Sequence, residues 1–361
     1  MYYTNEAHTI DTDQNACRHE IELKERTAME TALITEYRAG VVECLHSGHI
    51  AVVDDTGALA AWAGDPSHLA FTRSSAKPLQ LIPSIMAGVH THYGLTEQEL
   101  AVMVSSHRGE PEHQAVLAAL MMKLGVEEER LVCAPSYPLD RRSRDQLLLN
   151  GAGMRRLYHN CSGKHLGMLA SCSLQQFPME GYEDPSHPLQ QQVLNSMASM
   201  SGLTVEQISV GIDGCGLPVF ALPLQSLAAA YVKLACPDLI SDPGMKAAVQ
   251  VITSAMTRHP YMVGGRNRLD TLLMEDDNII AKGGFKGIFC FGLKKERLGI
   301  VLKVLDGSEE EWAWITESIL EQLGSGSRPM LEKLRQTYTR KLLNDGGQQV
   351  GHVETVFTLQ R

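Results

Sequence analysis

Alternation of apolar and polar residues predicts β-strands near both ends of the chain. Such a pattern has a period of two, which places every second side chain on one face of a sheet. Asp55-Thr56-Gly57 is typical of a hairpin turn, so the first strands would form an antiparallel meander. The predicted strands are Ile34 to Leu45, His49 to Asp54 and Leu59 to Gly64, two or three more within Asn278 to Leu305, and a last one at Val353 to Leu359.

Between these strands, apolar residues recur every three or four positions, which is the spacing of one helical face. Thr96 and Glu99 form a capping box at the start of one helix, and a short strand at Ile208 to Ile212 interrupts the region. Strands at both ends around a helical block favour an α+β fold with an antiparallel sheet. The predicted helices are one starting at Pro78, Glu97 to Val104, Glu112 to Leu124, Gly163 to Cys172, Pro188 to Met200, Leu222 to Leu234, Met245 to Arg258, Glu309 to Leu323 and Met330 to Leu343.

Composition places the chain among globular proteins. Its 361 residues are 44% hydrophobic and 20% charged, and the net charge is -10. An acidic chain without basic clusters argues against a nucleic-acid partner and against binding to an anionic membrane surface. No segment has the roughly 18 to 20 apolar residues that span a bilayer, and no signal peptide is recognisable, so we expect a cytoplasmic protein.

Residues 1–30 are polar and lack a sustained period. This predicts an N-terminal extension compatible with disorder, with residues 31–361 forming the functional domain. The eight cysteines are spread thinly along the chain, so they do not form a disulfide scaffold and should be reduced. Cysteines that meet in the fold are therefore candidates for metal binding.

A serine and a lysine at the start of the first predicted helix form a candidate nucleophile and base. In the segment Arg73 to Pro78, Ser74 and Lys77 are three positions apart and share a helical face. A neutral lysine amine at this position can take the proton of the serine hydroxyl. The four-residue pattern is weak by itself, because serine is also a common helix N-cap.

Two further motifs follow in a recognisable order. Ser105-Ser106-His107 comes after a predicted buried helix, and Lys282-Gly283-Gly284 begins a strand whose glycines would let a substrate approach the backbone. Together with the first pair, they resemble the three-part active site of penicillin-recognising serine hydrolases. The middle motif lacks the asparagine of those enzymes, which argues against penicillin chemistry itself.

Two segments, His159 to His165 and Gly211 to Gly216, suggest either a zinc site or a packed core. From ligand chemistry alone, Cys161, His165 and Cys215 would bind zinc, because thiolate and imidazole are its usual partners. Cys161 and His165 also lie one helical turn apart. The alternative is that both cysteines pack as small hydrophobic residues and His165 stabilises a helix.

Taken together, these segments resemble the asparaginase II family, the rhizobial type and third structural class of L-asparaginases. The resemblance runs from about Leu33 to Leu359, and its most specific part is the block from Cys161 to His165. It implies a serine β-lactamase/glutaminase-like fold, a homodimer, and hydrolysis of L-asparagine to L-aspartate and ammonia. The segments are Arg73 to Pro78, Ser105 to His107, Asn160 to Leu169, Asp213 to Pro218 and Arg258 to Pro260.

The resemblance also implies catalytic roles. Ser74 would be the nucleophile and Lys77 its base. Ser106 and Lys282 would form a second pair that relays protons and keeps the first pair reactive. Asp213 would orient these lysines or balance their charge.

The same resemblance implies a zinc cofactor bound by Cys161, Lys164 and Cys215, with Lys164 in place of the histidine that ligand chemistry favours. A zinc ion with two thiolates is a modest Lewis acid. We therefore expect it to shape the pocket and orient the substrate rather than activate water. The candidates for substrate binding are Arg73, His107 and His165.

Two alternatives stay open at this point. The protein would be a related serine amidohydrolase that acts on glutamine or another amide, or a zinc-binding regulatory protein that has lost its activity. The presence of both serine–lysine pairs, Ser74 with Lys77 and Ser106 with Lys282, counts against the second alternative.

Overall fold

Strands at the two ends of the described chain enclose a long run of helices. The computed structural model describes residues 30–361, so the predicted extension over residues 1–30 lies outside the described residues except for Glu30. The strands are β1 (Thr31–Arg38), β2 (Val41–Val53), β3 (Leu59–Ala63), β4 (Leu69–Phe71), β5 (Ser209–Ile212), β6 (Pro218–Pro223), β7 (Ile279–Gly283), β8 (Ile288–Leu293), β9 (Leu298–Val304), β10 (Lys341–Leu343) and β11 (Gln349–Thr355).

The helices occupy mainly the middle of the chain. They are α1 (Lys77–Met86), α2 (Val89–His92), α3 (Glu97–Met103), α4 (Pro111–Leu124), α5 (Arg141–Leu149), α6 (Ser162–Gln175), α7 (Pro188–Ser201), α8 (Leu224–Ala235), α9 (Pro243–Arg258), α10 (Pro260–Gly264), α11 (Leu269–Leu273), α12 (Trp312–Leu323) and α13 (Arg328–Thr337). Within residues 30–361, no helix combines the length and the apolar character that crossing a bilayer requires.

The main sheet joins strands from both ends of the chain. Its order is β10-β11-β1-β2-β9-β8-β7, and β3 pairs with the far half of β2. The first strand lies antiparallel to the last, with Glu36 opposite Val353. A second, smaller sheet has the order β4-β6-β5. This arrangement confirms the predicted α+β fold, in which an antiparallel sheet from the N- and C-terminal strands accompanies a helical block.

Helix α1 is the centre of the helical block. Every residue from Lys77 to Ile85 is buried, and the helix contacts α6, α7 and α9. The polar residues Lys77, Gln80 and Ser84 share one face of the helix, and this face is buried together with the apolar one. The burial includes the amine of Lys77, which must therefore find hydrogen-bond partners inside the protein.

The capping box predicted for α3 is confirmed. Thr96 Oγ1 accepts the Glu99 N–H at 3.3 Å, and Glu99 Oε2 accepts the Thr96 N–H at 2.7 Å. The two bonds satisfy backbone donors that the first helical turn leaves free. The predicted hairpin at Asp54 to Ala58 is also present, since Asp54 and Ala58 are linked by a backbone hydrogen bond of 2.9 Å.

The boundaries of several predicted elements were wrong. The predicted strand Ile34 to Leu45 contains a turn at Ala39 and Gly40, whose φ angles of 49° and 77° are those of a tight hairpin. The polar stretch after Leu45, read as a break, lies inside β2. Residues with ambiguous propensity follow the pairing that the tertiary structure offers.

Two helix predictions were too long for a similar reason. Leu222, the first residue of one predicted helix, lies in β6, where it pairs with Ala70. The last helix, predicted to end at Leu343, ends at Thr337 in the structure. Lys341 to Leu343 form β10 instead, which pairs with β11. The final strand, predicted at Val353 to Leu359, is observed four residues earlier, as β11 (Gln349–Thr355), which pairs with β1. These short segments extend the main sheet at its edge, and sheet pairing therefore decides their conformation.

Gly163 allows α6 to pack closely against α3. A Cβ atom at this position would lie 2.1 Å from the carbonyl oxygen of Val102. We expect Gly163→Ala to lower the free energy of unfolding by roughly 1 to 3 kcal/mol, because the two helices would have to separate. Urea denaturation measures this change. Gly153→Ala is the control, since a Cβ there meets no atom within 4 Å; equal stability of the two variants would contradict the prediction.

Candidate active site

The Ser74 motif forms a tight turn between the small sheet and α1. Thr72 anchors the turn to β6, because its N–H and its Oγ1 both donate to Phe220 O, at 2.8 and 3.0 Å. Arg73 has a φ of 50°, in the left-handed region that non-glycine residues rarely occupy. Such local strain is common next to functional groups. The Ser74 hydroxyl faces a cleft and has no hydrogen bond within residues 30–361.

The amine of Lys77 makes its hydrogen bonds with the second motif and with the Asn160 segment. Lys77 Nζ donates hydrogen bonds to Ser105 O at 2.5 Å and to Asn160 O at 3.1 Å. Its third neighbour is Ser106 Oγ, at 3.2 Å. A neutral amine has two N–H bonds and one lone pair. The two carbonyls therefore suit its two N–H groups, and the lone pair can accept the Ser106 proton.

Lys282 contacts the same serine from the opposite side. Its Nζ lies 2.9 Å from Ser106 Oγ and donates to Gly283 O at 2.7 Å. The side chain is completely buried on β7, and burial lowers the pKa of Lys282 to about 7, although Asp270 opposes this shift. Lys77, Ser106 and Lys282 therefore form a continuous hydrogen-bonded chain, the Lys77–Ser106–Lys282 chain, that can take up and release a proton near neutral pH.

Asp270 is the carboxylate nearest to this chain. Its Oδ2 lies 3.8 Å from Lys282 Nζ and accepts the Gly283 N–H at 3.3 Å. Asp213, which the resemblance assigns to balance the lysines, instead pairs with Arg73 across the cleft. Arg73 Nη2 lies 2.9 Å from Asp213 Oδ1. The structure thus places one carboxylate beside Lys282 and the other on the cleft wall.

The cleft has a volume of about 250 Å³, a size suited to a small molecule. Arg73 and Asp213 line one wall with opposite charges. Asp213 follows β5 in a tight turn, in which the Gly216 N–H donates to Asp213 O at 2.9 Å and Gly216 has a φ of 89°. The lining residues are Arg73, Ser74, Leu139, His159, Asn160, Cys161, Asp213, Gly214, Cys215, Gly284 and Phe285.

Gly284 brings the end of β7 against the Ser74 turn. A Cβ atom on Gly284 would lie 2.3 Å from Ile288 Cγ2 and 3.2 Å from Thr72 O. Only glycine fits between these two segments without moving one of them. The close approach explains why the Lys282-Gly283-Gly284 motif and the Ser74 turn share one cleft.

Two cysteines and a lysine meet at the side of the cleft. Lys164 Nζ donates to Cys215 Sγ at 3.3 Å. Interaction with the Cys215 thiol, with the charges of Lys77 and Lys164, lowers the pKa of Cys161 well below its usual value despite burial. Interaction with Cys161 and burial raise the pKa of Cys215. Burial alone would lower the pKa of Lys164, but the two cysteines raise it overall.

The chemistry of this trio fits a zinc ion. Zinc binds thiolates, and the neighbours of Cys161 lower the pKa of its thiol, which favours the thiolate. The three donors come from two different segments, the start of α6 and the turn after β5, and all three residues are buried. Cys161, Lys164 and Cys215 are therefore the residues that could hold zinc beside the cleft.

His107 and His165 lie beneath the cleft rather than on its lining. The Gly109 N–H donates to His107 Nδ1 at 3.1 Å, so Nε2 carries the ring proton and donates to Ser162 Oγ at 2.9 Å. His107 thereby joins the Ser106 loop to the start of α6. His165 Nδ1 lies 2.6 Å from the Tyr182 hydroxyl. Burial lowers the pKa of both histidines well below the usual value, which keeps them neutral.

Residues 34–355 match a family model described as L-asparaginase II. The chain belongs to the L-asparaginase II family. Membership of this family makes the protein a hydrolase that acts on amides, and it confirms the resemblance seen in the motifs. No significant match to a curated protein was found.

Several solved structures are similar to this member of the L-asparaginase II family at low sequence identity. A β-lactamase from Mycobacterium bovis is 16% identical, with 76% of this chain and 94% of that chain covered and a TM-score of 0.37. Mglu in its native form is 16% identical, with 87% of this chain and 66% of that chain covered and a TM-score of 0.41. A putative β-lactamase from Bacteroides dorei is 11% identical, with 80% of this chain and 90% of that chain covered and a TM-score of 0.39. Similarity at this level carries no conclusion about activity.

Sequence reasoning about this family member missed two residues of the site. Asn160 contributes a backbone carbonyl to Lys77 and lines the cleft, and it stands in a segment that was singled out only for its cysteine and histidine. Asp270 carries no local signal, because it belongs to the five-residue helix α11 and approaches Lys282 only in the folded chain. A motif search based on spacing has no means of finding such a contact.

Proposed function

We propose that the protein hydrolyses L-asparagine to L-aspartate and ammonia, with Ser74 as the nucleophile. The observation that supports this most directly is the position of Ser74. Its hydroxyl opens into the cleft, between the Arg73–Asp213 pair on one side and the buried Lys77–Ser106–Lys282 chain behind it. A nucleophile and charged groups for substrate binding therefore line one small cavity, and the Lys77 amine donates to the carbonyl of Asn160, another residue of the lining.

The charges of the cleft suit a free amino acid. Arg73 can bind the α-carboxylate through paired N–H groups, and Asp213 can accept hydrogen bonds from the α-ammonium group. In the structure the two side chains neutralise each other at 2.9 Å. A zwitterionic substrate would satisfy both charges without leaving either buried alone. Binding of the two charged ends would direct the side-chain amide towards Ser74.

The proposed reaction begins with attack of Ser74 Oγ on the amide carbonyl carbon. Neutral Lys77 takes the serine proton, and backbone N–H groups near Ser74 and at the end of the Lys282 strand stabilise the oxyanion. Protonation of the amide nitrogen releases ammonia and leaves an acyl-enzyme. A water molecule then attacks the ester, and its proton returns through the lysines as Ser74 is regenerated. The Lys77–Ser106–Lys282 chain serves these transfers because Lys282 titrates near neutral pH.

Cys161, Lys164 and Cys215 would hold the zinc ion in this proposal. When bound, zinc supplies positive charge and modest Lewis acidity beside the cleft. Cys161 and Cys215 line the cleft, so their arrangement also shapes the substrate pocket. Binding requires the loss of protons from Cys215 and Lys164, whose pKa values are raised in the protein. Zinc affinity should therefore increase with pH.

Cys161→Ser is expected to lose the zinc and to raise the KM for asparagine, since the cleft wall loses one metal ligand. Elemental analysis of the purified variant and steady-state kinetics measure the two effects. Cys172→Ser is the matched control, because Cys172 is a buried cysteine of α6 that does not line the cleft. Zinc content equal to that of the wild type in Cys161→Ser would refute the proposed ligands.

Ammonia release from L-asparagine and from L-glutamine tests the proposed function. Release from asparagine with little from glutamine would support an asparaginase. Faster release from glutamine would assign the same serine chemistry to the longer amide, and no release from either by zinc-loaded protein would overturn the proposal. We also propose a homodimer, as the family resemblance implies, and a cytoplasmic location, as the sequence analysis predicts. Light scattering on the purified protein tests the dimer.

Asp270→Asn is expected to move the acidic limb of the kcat/KM profile to lower pH. The Asp270 carboxylate raises the pKa of Lys282, so its removal lowers that pKa further and leaves more neutral lysine below pH 7. Loss of an opposite charge at this distance typically moves a pKa by about 1 unit or more. The pH dependence of ammonia release measures the change. Asp238→Asn, at an exposed pair with Arg297, is the control; an unmoved limb in Asp270→Asn would contradict the assignment.

A further inference from the structure

A cluster of one histidine and three carboxylates lies where the first hairpin meets the start of α12. Glu36 on β1 and His46 on β2 are on the same face, since His46 is opposite Ile34, two residues from Glu36. Glu311 precedes α12 and approaches both. His46 Nε2 lies 3.4 Å from Glu311 Oε1 and 3.9 Å from Glu36 Oε1, and the three ligand atoms all lie within 4.8 Å of one another.

The imidazole of His46 is oriented by a fourth residue, Asp306, from the turn after β9. His46 Nδ1 lies 2.6 Å from Asp306 Oδ2. A carboxylate at this distance holds a proton on Nδ1, so that the Nε2 lone pair points between Glu36 and Glu311. The same arrangement, in which a carboxylate supports a histidine from behind, fixes the histidine ligands of many metal sites.

Glu311 provides an independent indication of a ligand. Its side chain is only 2% exposed, and its Oε2 has no hydrogen-bond partner within residues 30–361. A buried carboxylate without a full set of partners is costly unless a cation neutralises it. Three carboxylates surround His46, and Glu310 adds a further negative charge that acts on Glu36. A single protonated imidazole could balance only part of this charge.

We propose that Glu36, His46 and Glu311 bind a divalent first-row transition ion, with Asp306 orienting the histidine. One imidazole and two carboxylates form a ligand set that Mn²⁺ and Zn²⁺ share, and it is harder than the pair of thiols beside the cleft. The site would tie the β1–β2 hairpin to the connection between β9 and α12. None of its residues lines the Ser74 cleft, so its role is structural and independent of the proposed function.

Titration of the metal-free full chain with Mn²⁺ tests the proposal, because this hard ion does not favour thiolates. The electron paramagnetic resonance signal of free Mn²⁺ reports binding, and a rise in Tm reports the stabilisation that binding brings. We expect one bound Mn²⁺ per chain. His46→Gln and Glu311→Gln should each weaken binding at least tenfold. Cys161→Ser should bind as the wild type does.

His352→Gln is the matched control, because His352 also lies in the main sheet and pairs with a glutamate, Glu354, but stands apart from the cluster. If His46→Gln fails to fold, Asp306→Asn replaces it, since it keeps all three ligands and should still weaken binding about tenfold. An unchanged free Mn²⁺ signal with wild-type protein would overturn the proposal and leave His46 and its carboxylates as a cluster that binds no metal. Loss of binding in Cys161→Ser but not in the cluster variants would also overturn it.

Discussion

Replacing Ser74 by alanine should reduce kcat for asparagine by about 10⁴-fold or more while leaving the fold intact. The hydroxyl is the nucleophile of the proposed reaction, so its removal prevents formation of the acyl-enzyme. The fold should tolerate the change, because the Ser74 hydroxyl makes no hydrogen bond within residues 30–361 that alanine would break. Ammonia release measures the activity, and urea denaturation measures the stability.

Two neighbouring serines make this experiment decisive. Ser75→Ala is the control for the turn itself, since Ser75 Oγ is buried and donates to Thr72 O rather than facing the cleft. Ser106→Ala should lower kcat by about 10² to 10⁴-fold, as expected for loss of a proton-transfer group. If Ser74→Ala stays active and Ser106→Ala is inactive, the nucleophile is Ser106, the hydroxyl that both lysines contact.

Lys282→Met is expected to lower kcat/KM by about 10² to 10⁴-fold and to remove the acidic limb of the pH profile near pH 7. The physical reason is that burial lowers the pKa of Lys282 to about 7, so this amine changes protonation as the pH of the assay crosses neutrality. Lys282→Arg should be as inactive as Lys282→Met, because the guanidinium stays protonated. Full activity of Lys282→Arg would mean that only a positive charge is needed.

The same pKa shift has a consequence for stability. In the folded chain Lys282 is neutral above about pH 7, whereas in the unfolded chain it stays protonated up to its ordinary value of about 10.4. Between these values the unfolded state binds more protons, so the contribution of Lys282 to stability rises with pH and is lost as the pH falls towards 7. Denaturation of wild type and Lys282→Met across this range should show that the difference between them changes with pH. A constant difference would contradict the shifted pKa.

The N-terminal part of the fold illustrates what local sequence can and cannot specify. The Thr96 capping box was predictable because all of its bonds join residues three positions apart. The turn at Ala39 and Gly40 was not, because alanine rarely adopts a positive φ and gives no turn signal. Likewise, Lys341 to Leu343 become a strand only because the edge of β11 is available for pairing.

By itself, the sequence determined the α+β class, the family, and the serines, lysines and cysteines that meet around one cleft, since these depend on residue types and on spacing along the chain. Only the tertiary structure decided the contacts between them. It brings the Lys77 amine into contact with Ser106, pairs Asp213 with Arg73, and brings Asp270 to Lys282. Such contacts join segments far apart in the chain, and the pKa values follow from burial and neighbouring charges that no local pattern contains.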